Sequence, residues 1–188
     1  YDYFDSSQGA TVTTQINRYD PIPDDNLKGF AVYIDSQNRV WYGSAGGINI
    51  SDNALTAPID SISWRNVGFN NSATGLLARW IVEIQEDTST GRVWMTNWLA
   101  ESTGSAFQGL DQYGLVFTED GGRIFEQRLV GEKIHAVTFK DGYVFAAGDN
   151  GVFISSDGGD SWVQSPQIKS ANAILKSTAS FQAAAASK

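Results

Sequence analysis

Gly151-Val152-Phe153-Ile154-Ser155-Ser156-Asp157-Gly158-Gly159-Asp160-Ser161-Trp162 is the stretch whose reading decides the fold. Val152 and Ile154 alternate with Phe153 and Ser155, the period-2 signature of extended chain. Ser156-Asp157-Gly158-Gly159 then supplies turn chemistry: Ser and Asp side chains bond nearby backbone N–H groups, and Gly adopts positive φ without strain. Trp162 resumes the apolar pattern and is large enough to anchor a returning strand.

The same text stands earlier in the chain. Gly114-Leu115-Val116-Phe117-Thr118-Glu119-Asp120-Gly121-Gly122-Arg123-Ile124-Phe125 matches it almost position for position. Thr118 stands for Ser155, Asp120 for Asp157, Gly122 for Gly159 and Phe125 for Trp162. A degenerate third copy, Gly47-Ile48-Asn49-Ile50-Ser51-Asp52-Asn53, is followed by an insertion that delays the aromatic to Trp64. The chain repeats.

Around each copy the alternation extends to four strands. In residues 29–67 they are Phe30–Ile34, Arg39–Gly43, Ile48–Ile50 and Ile62–Val67. In residues 79–130 they are Trp80–Ile84, Arg92–Thr96, Leu115–Phe117 and Ile124–Leu129, with a long insertion at 97–113. In residues 131–166 they are His135–Phe139, Tyr143–Ala147, Val152–Ile154 and Trp162–Gln164, the first hairpin turning on Asp141-Gly142. Residues 1–28 read as an entry segment, with Thr11–Ile16 a strand that closes another unit. Residues 167–188 begin a further unit or form a tail.

Repeats of roughly 35 to 60 residues built from four strands are the signature of β-propeller blades. The expected fold is therefore all-β, a propeller of four-stranded meanders with three blades recognisable here. A blade cannot bury both faces alone, so further blades are expected, from the same chain or from partner chains. The missing initial Met reads as a mature or excised segment, in keeping with an exported protein.

With the repeats in place, a resemblance becomes specific. Ser/Thr-x-Asp-x-Gly-x-x-Trp/Phe between the third and fourth strands of a blade resembles the Asp-box (BNR) repeat. The residues that carry it are Thr118, Asp120, Gly122 and Phe125, and Ser155, Asp157, Gly159 and Trp162. The resemblance covers about residues 30–164 and implies fold more strongly than function, because Asp-box proteins include sialidases, xyloglucan hydrolases, sortilin-like receptors and photosystem assembly factors. Arg39–Gly43 is also similar to second strands in bacterial sensor and envelope-secretion propellers. These likenesses imply an extracytoplasmic location: secreted, periplasmic or cell-surface.

Composition narrows the functions. Among 188 residues there is no Cys and one His, and the net charge is −8. Thiolate chemistry, disulfides and multi-His metal sites are excluded, and no clustered Lys and Arg await a phosphate backbone. No apolar run is long enough to insert into a membrane. Asp120 and Asp157 read as turn staples rather than catalytic acids, because a catalytic acid is not needed once per blade. Asp157-Gly158-Gly159-Asp160 lacks the oxygen spacing of a calcium loop. His135 reads as a blade-packing histidine sharing a face with Val137 and Phe139.

Glycoside hydrolysis needs two carboxylates flanking one bond. Glu83, Glu86, Asp87, Glu101 and Asp111 are candidates, but any acidic surface offers as many. Arg39, Arg65, Arg79, Arg92 and Arg123 fall at different blade positions, and no Arg-x-Pro element is present. No catalytic, cofactor or metal residue is assigned. The insertions at 53–63 and 97–113 are the expected binding elements, since long loops on a rigid scaffold often carry recognition. Trp98, Phe107 and Tyr113 are the candidate contacts for a protein partner or glycan, whereas Trp41, Trp64, Trp80, Trp94 and Trp162 read as blade-core aromatics. The expected function is a non-catalytic binding module of an exported or envelope bacterial protein. The rivals are a glycoside hydrolase with carboxylates partly outside this segment, and a sensory propeller of a receptor.

Overall fold

The computed structural model describes residues 2–5, 10–13, 25–99 and 112–165. A hairpin pairs β1 (Asp2–Asp5) with β2 (Ala10–Thr13). Three four-stranded antiparallel sheets follow, each a simple meander. The first contains β3 (Gly29–Ile34), β4 (Val40–Ser44), β5 (Gly47–Ser51) and β6 (Arg65–Val67). The second contains β7 (Trp80–Asp87), β8 (Arg92–Trp98), β9 (Gly114–Thr118) and β10 (Glu126–Arg128). The third contains β11 (Ile134–Lys140), β12 (Tyr143–Gly148), β13 (Gly151–Ser155) and β14 (Val163–Gln164).

The first strands β3, β7 and β11 lie side by side, and the sheets stack face to face behind them. This is the blade arrangement of a β-propeller, with the first strand of each blade innermost. Alternation along each strand divides its residues between two neighbours. Trp41, Ile48 and Ile50 of the first sheet meet Ile84, Val93, Met95 and Val116 of the second in one core. Trp94, Leu115 and Phe117, from the opposite face of the second sheet, meet Val137, Val144, Ala146 and Phe153 of the third in another. The middle sheet is thus buried on both sides, which explains why its central strands read as continuous apolar runs.

The fourth strands are shorter than the sequence pattern predicts. The expected starts at Ile62, Ile124 and Trp162 become Arg65, Glu126 and Val163. The cause lies in the preceding turns, whose side chains capture backbone N–H groups just before each strand: Ser63 by Asn53, Arg123 and Ile124 by Asp120, Ser161 by Asp157. A backbone donor bonded to a turn side-chain oxygen is no longer available to a sheet ladder.

Trp64 departs from its expected place in a blade core. It is 42% exposed. Phe125 and Trp162 are covered because their turns dock on the sheet before them, and no such sheet stands before Trp64 among the described residues. Trp41 and Trp94 are fully buried, Trp162 is half-buried edge-on to Trp94, and Trp80 is half-buried against Phe30.

Candidate functional site: the turns and the aromatic end of the second blade

The two good sequence copies fold into the same turn. In the second blade the Thr118 hydroxyl donates to Asp120 Oδ1 at 2.8 Å and accepts the Gly122 N–H at 3.0 Å. Asp120 Oδ1 then accepts N–H groups from Arg123 at 2.9 Å and Ile124 at 3.1 Å. In the third blade Ser155 donates to Asp157 Oδ1 at 2.7 Å and accepts from Gly159 N at 2.8 Å, while Asp157 accepts from Ser161 N at 2.9 Å. Burial alone would raise the Asp120 pKa, but bonds from Ile124, Arg123 and Thr118 outweigh it and hold the carboxyl below its ordinary value. The Ser161 hydroxyl and N–H, followed by Ser155, push Asp157 lower still.

The degenerate copy keeps this geometry across its insertion. Asn53 Oδ1 receives the Ser51 hydroxyl at 3.1 Å and the Ser63 N–H at 2.9 Å. Its partner is ten residues on, whereas Asp157 takes an N–H four residues on. The inserted chain, including a short 3-10 turn at Ile59–Ser61, loops out between them.

Each glycine turn also docks on the sheet before it. A Cβ at Gly122 would lie 2.5 Å from Ile50 Cδ1 and 3.4 Å from the Trp41 ring, and one at Gly159 would lie 2.5 Å from Trp94 Cη2. Both glycines have positive φ, so close approach and backbone conformation together require Gly. Arginines of the preceding sheet grip the turn carbonyls. Arg65 donates to the carbonyls of Gly121 and Gly122; Arg92 donates to Gly158 and Arg128 to Gly159. Arg39 and Arg65, which are scattered in sequence, therefore meet at one turn, since the Arg39 guanidinium lies against Gly121.

The opposite end of the second blade carries the long insertion. Trp98 closes β8 and Tyr113 precedes β9, and their rings meet edge-to-face at 6.5 Å. The Trp98 indole donates to the Ile134 carbonyl at 2.6 Å, and His135 packs edge-on at 4.8 Å. The Lys133 ammonium sits 4.6 Å from the Trp98 ring centre and 5.1 Å from that of Tyr113, a pair of cation–π contacts. His135 Nε2 is 2.6 Å from Asp149 Oδ1. His135 lies at a bulge between Ile134 and Ala136, which turns it towards Trp98. Trp98 is consequently a framed ring rather than a bare platform.

Both ends of the insertion are tied to one residue. Leu77 N donates to the buried Asn97 Oδ1 at 3.0 Å, and the Leu77 carbonyl accepts the Gln112 N–H at 2.9 Å. Asn97 also donates to the Ala78 and Trp80 carbonyls. Beside this knot opens a cleft of about 260 Å³ lined by Phe69, Asn71, Ser72, Leu77, Gln112 and Gln127. Phe107, the third candidate contact, lies outside the described residues. Lys133, Asp149 and Leu77 were not singled out from sequence, because their roles depend on neighbours that the meander brings together. The one available signal was the position of Lys133 just before a first strand.

The candidate carboxylates do not converge. Glu83 and Glu86 project to opposite faces of β7: Glu83 accepts the Val137 N–H from the third sheet at 2.8 Å, and Glu86 accepts Ser36 N and Oγ from the first. Asp87 caps its own turn through Ser89 and Thr90. Glu101 and Asp111 lie outside the described residues. Burial raises the Glu83 pKa to about 7, against the countering bonds from Val137 and Gln85. Among the described residues no group of three or more His, Asp or Glu side chains could hold a metal ion, and no helix is long and apolar enough to cross a membrane.

No protein-family model matches the chain, and no curated protein matches it in sequence. Among solved structures it is similar to a gluconolactonase of Xanthomonas campestris, at 12% identity and a TM-score of 0.47 over 71% of this chain and 46% of that one. It is also similar to PorZ, a surface component of the type-IX secretion system of Porphyromonas gingivalis, at 15% identity and a TM-score of 0.45 over 78% of this chain and 21% of that one. The chain thus spans less than half the length of the first and about a fifth of the second. Neither likeness bears on what this chain does.

Proposed function

We propose that this chain is a non-catalytic binding module of an exported or cell-envelope protein, with the 97–113 insertion and the cleft at its base as the recognition element. The observation that carries this reading is the knot at Leu77. A loop whose two ends are fixed by buried or backbone hydrogen bonds is presented from a rigid base, which lowers the ordering cost of binding. The cleft has a mixed lining: Phe69, Ala73, Leu76 and Leu77 on the apolar side, and Ser72 with the side-chain amides of Asn71, Gln112 and Gln127 on the polar side. It is slightly smaller than sites of roughly 300–1,000 Å³ that hold drug-sized ligands, and suits one sugar unit or one anchoring side chain of a protein.

The turns at Thr118–Phe125 and Ser155–Trp162 are Asp boxes in this reading, and their carboxylates serve blade geometry rather than chemistry. The hydrolase alternative is disfavoured by the opposed directions of Glu83 and Glu86. A glycan array followed by calorimetry on the best glycan tests the proposal. Binding that falls at least tenfold in Gln112→Ala, or when residues 100–111 are replaced by a short Gly-Ser link, supports it. Release of reducing sugar from a bound glycan would overturn the non-catalytic reading. Binding unaffected by both changes would move the site elsewhere. Cell fractionation tests the envelope location.

A further inference from the structure

The second sheet differs from its neighbours at one register position. Just after the bulge in each first strand, the first sheet pairs Ala31 with Gly43 and the third pairs Ala136 with Ala147, whereas the second pairs Glu83 with Thr96. Directly opposite residues of an antiparallel pair project to the same face, with Cβ atoms about 4.5–5.5 Å apart. Glu83 reaches the third sheet, where it accepts the Val137 N–H, so Thr96 faces the same seam. In the first sheet this position is closely packed: a Cβ at Gly43 would lie 2.6 Å from the Ile81 carbonyl oxygen of the next blade. Two polar side chains have thus entered together where the other blades are small and apolar.

Their hydrogen bonds do not balance within the pair. Glu83 accepts from Val137 at 2.8 Å and from the Gln85 side chain. Burial holds its proton up to about pH 7, so below that the carboxyl also carries an O–H that must donate. Thr96 is fully buried, and its hydroxyl has no partner among the described residues, Glu83 included. The ionisable groups on the strands around the pair are engaged away from it. Glu86 and Asp87 of β7 bind Ser36 and Ser89, Arg92 of β8 binds Glu119, and His135 of β11 binds Asp149. Exposed Lys140 closes β11 opposite Tyr143. A donor and a hydroxyl therefore face each other across one register position without touching.

We propose that the seam between the second and third blades is a binding site for one buried water, which bridges the Glu83 carboxyl to the Thr96 hydroxyl. The water accepts from both O–H groups at once. The bulge between Ile81 and Glu83 takes backbone groups out of the ladder and supplies acceptors for the water's own protons. Internal waters typically make about three hydrogen bonds to polar groups that the protein leaves unpaired. Glu83 and Thr96 are then one unit: each is a liability in an otherwise apolar seam, and the water makes the two acceptable together.

Thr96→Val removes the hydroxyl at nearly constant shape, and the sign of its effect decides the matter. Deleting an orphan hydroxyl from a dry seam stabilises, whereas deleting one that holds a water destabilises. At pH 6 the urea midpoint of Thr96→Val is expected to fall below that of the unaltered chain, and the same change made in a Glu83→Ala background to raise the midpoint or leave it alone. Oxygen-17 relaxation dispersion of the solvent is expected to count one long-lived water fewer in Thr96→Val and an unchanged number in Thr96→Ser, which keeps the hydroxyl. A midpoint raised by Thr96→Val, or a water count that Thr96→Val leaves unchanged, would overturn the bridge. An equal fall in both backgrounds would show Thr96 acting without Glu83 and overturn the pairing.

Discussion

Replacing Gly159 by Ala isolates the docking of a turn on the preceding blade. Gly159 has a φ of +96°, and an added Cβ would stand 2.5 Å from Trp94 Cη2 and 3.4 Å from Cζ2. The indole cannot retreat, since it is fully buried with Phe117 at 4.5 Å and Phe139 at 5.9 Å between ring centres. The left-handed conformation costs an L-residue about 1–2 kcal/mol, and overpacking a filled core typically adds about 1–3 kcal/mol. Gly159→Ala is therefore expected to destabilise by about 2–5 kcal/mol from these two sources. Gly142 supplies the control. Its φ of +81° is similar, yet nothing lies within 4 Å of its would-be Cβ, so Gly142→Ala should show the conformational cost alone. Urea unfolding followed by tryptophan fluorescence and circular dichroism measures both, with coincidence of the two probes checked because stacked blades can unfold separately. Costs equal within about 0.5 kcal/mol, the scatter expected for independent sites, would refute the close approach of turn and tryptophan.

Further outcomes follow from the same contacts. Glu83→Gln should raise stability at pH 8 by about 1–3 kcal/mol, the upper end being the full linkage of its raised pKa before allowance for partial exposure. The folded state holds the Glu83 proton up to about pH 7 while the unfolded chain releases it near the ordinary glutamate value of 4.5. The native protein therefore loses stability as pH rises between those values, and the variant's advantage should vanish at pH 4, as read by denaturant midpoints. Asp120→Ala should cost about 1–3 kcal/mol, as expected for removal of a charged acceptor of several bonds. Asp120→Asn should cost less than Asp120→Ala, because Asn53 already fills the same position in the first blade. Trp41→Phe should destabilise more than Trp94→Phe, by about the 1.5–3 kcal/mol of a hydrogen bond to a charged group. The Trp41 indole donates to the buried Asp35 carboxylate at 2.7 Å, whereas Trp94 Nε1 has no such partner among the described residues.

The legible part of this molecule was its local part. Period-2 alternation placed the strands, and Ser155-x-Asp157-x-Gly159 marked a turn, because both depend on residues within a few positions of one another. The shortening of the fourth strands was not legible, since it depends on whether Asp120 outcompetes a sheet for two N–H groups. The arginine grip was hidden for another reason: Arg65 and the Gly121 carbonyl are 56 residues apart. Trp64 misled because its apolar character is that of a core residue, while its burial depends on a neighbour that the other turns possess. Trp98 stands out in the sequence and His135 reads as a packing residue, but that the two meet, with Lys133 over the Trp98 ring and Asp149 on His135, depends on the next blade and is not written in any local pattern.

The repeated docking of a turn glycine on the preceding blade's tryptophan is read most directly by NMR of the labelled chain. The structure predicts nuclear Overhauser contacts from the Gly159 Hα protons to the Trp94 Hη2 proton and from the Gly122 Hα protons to the Ile50 δ-methyl, with the Gly159 Hα shifts displaced by the indole ring. Assigned spectra in which neither glycine contacts the preceding sheet would contradict the blade stacking and every conclusion built on it.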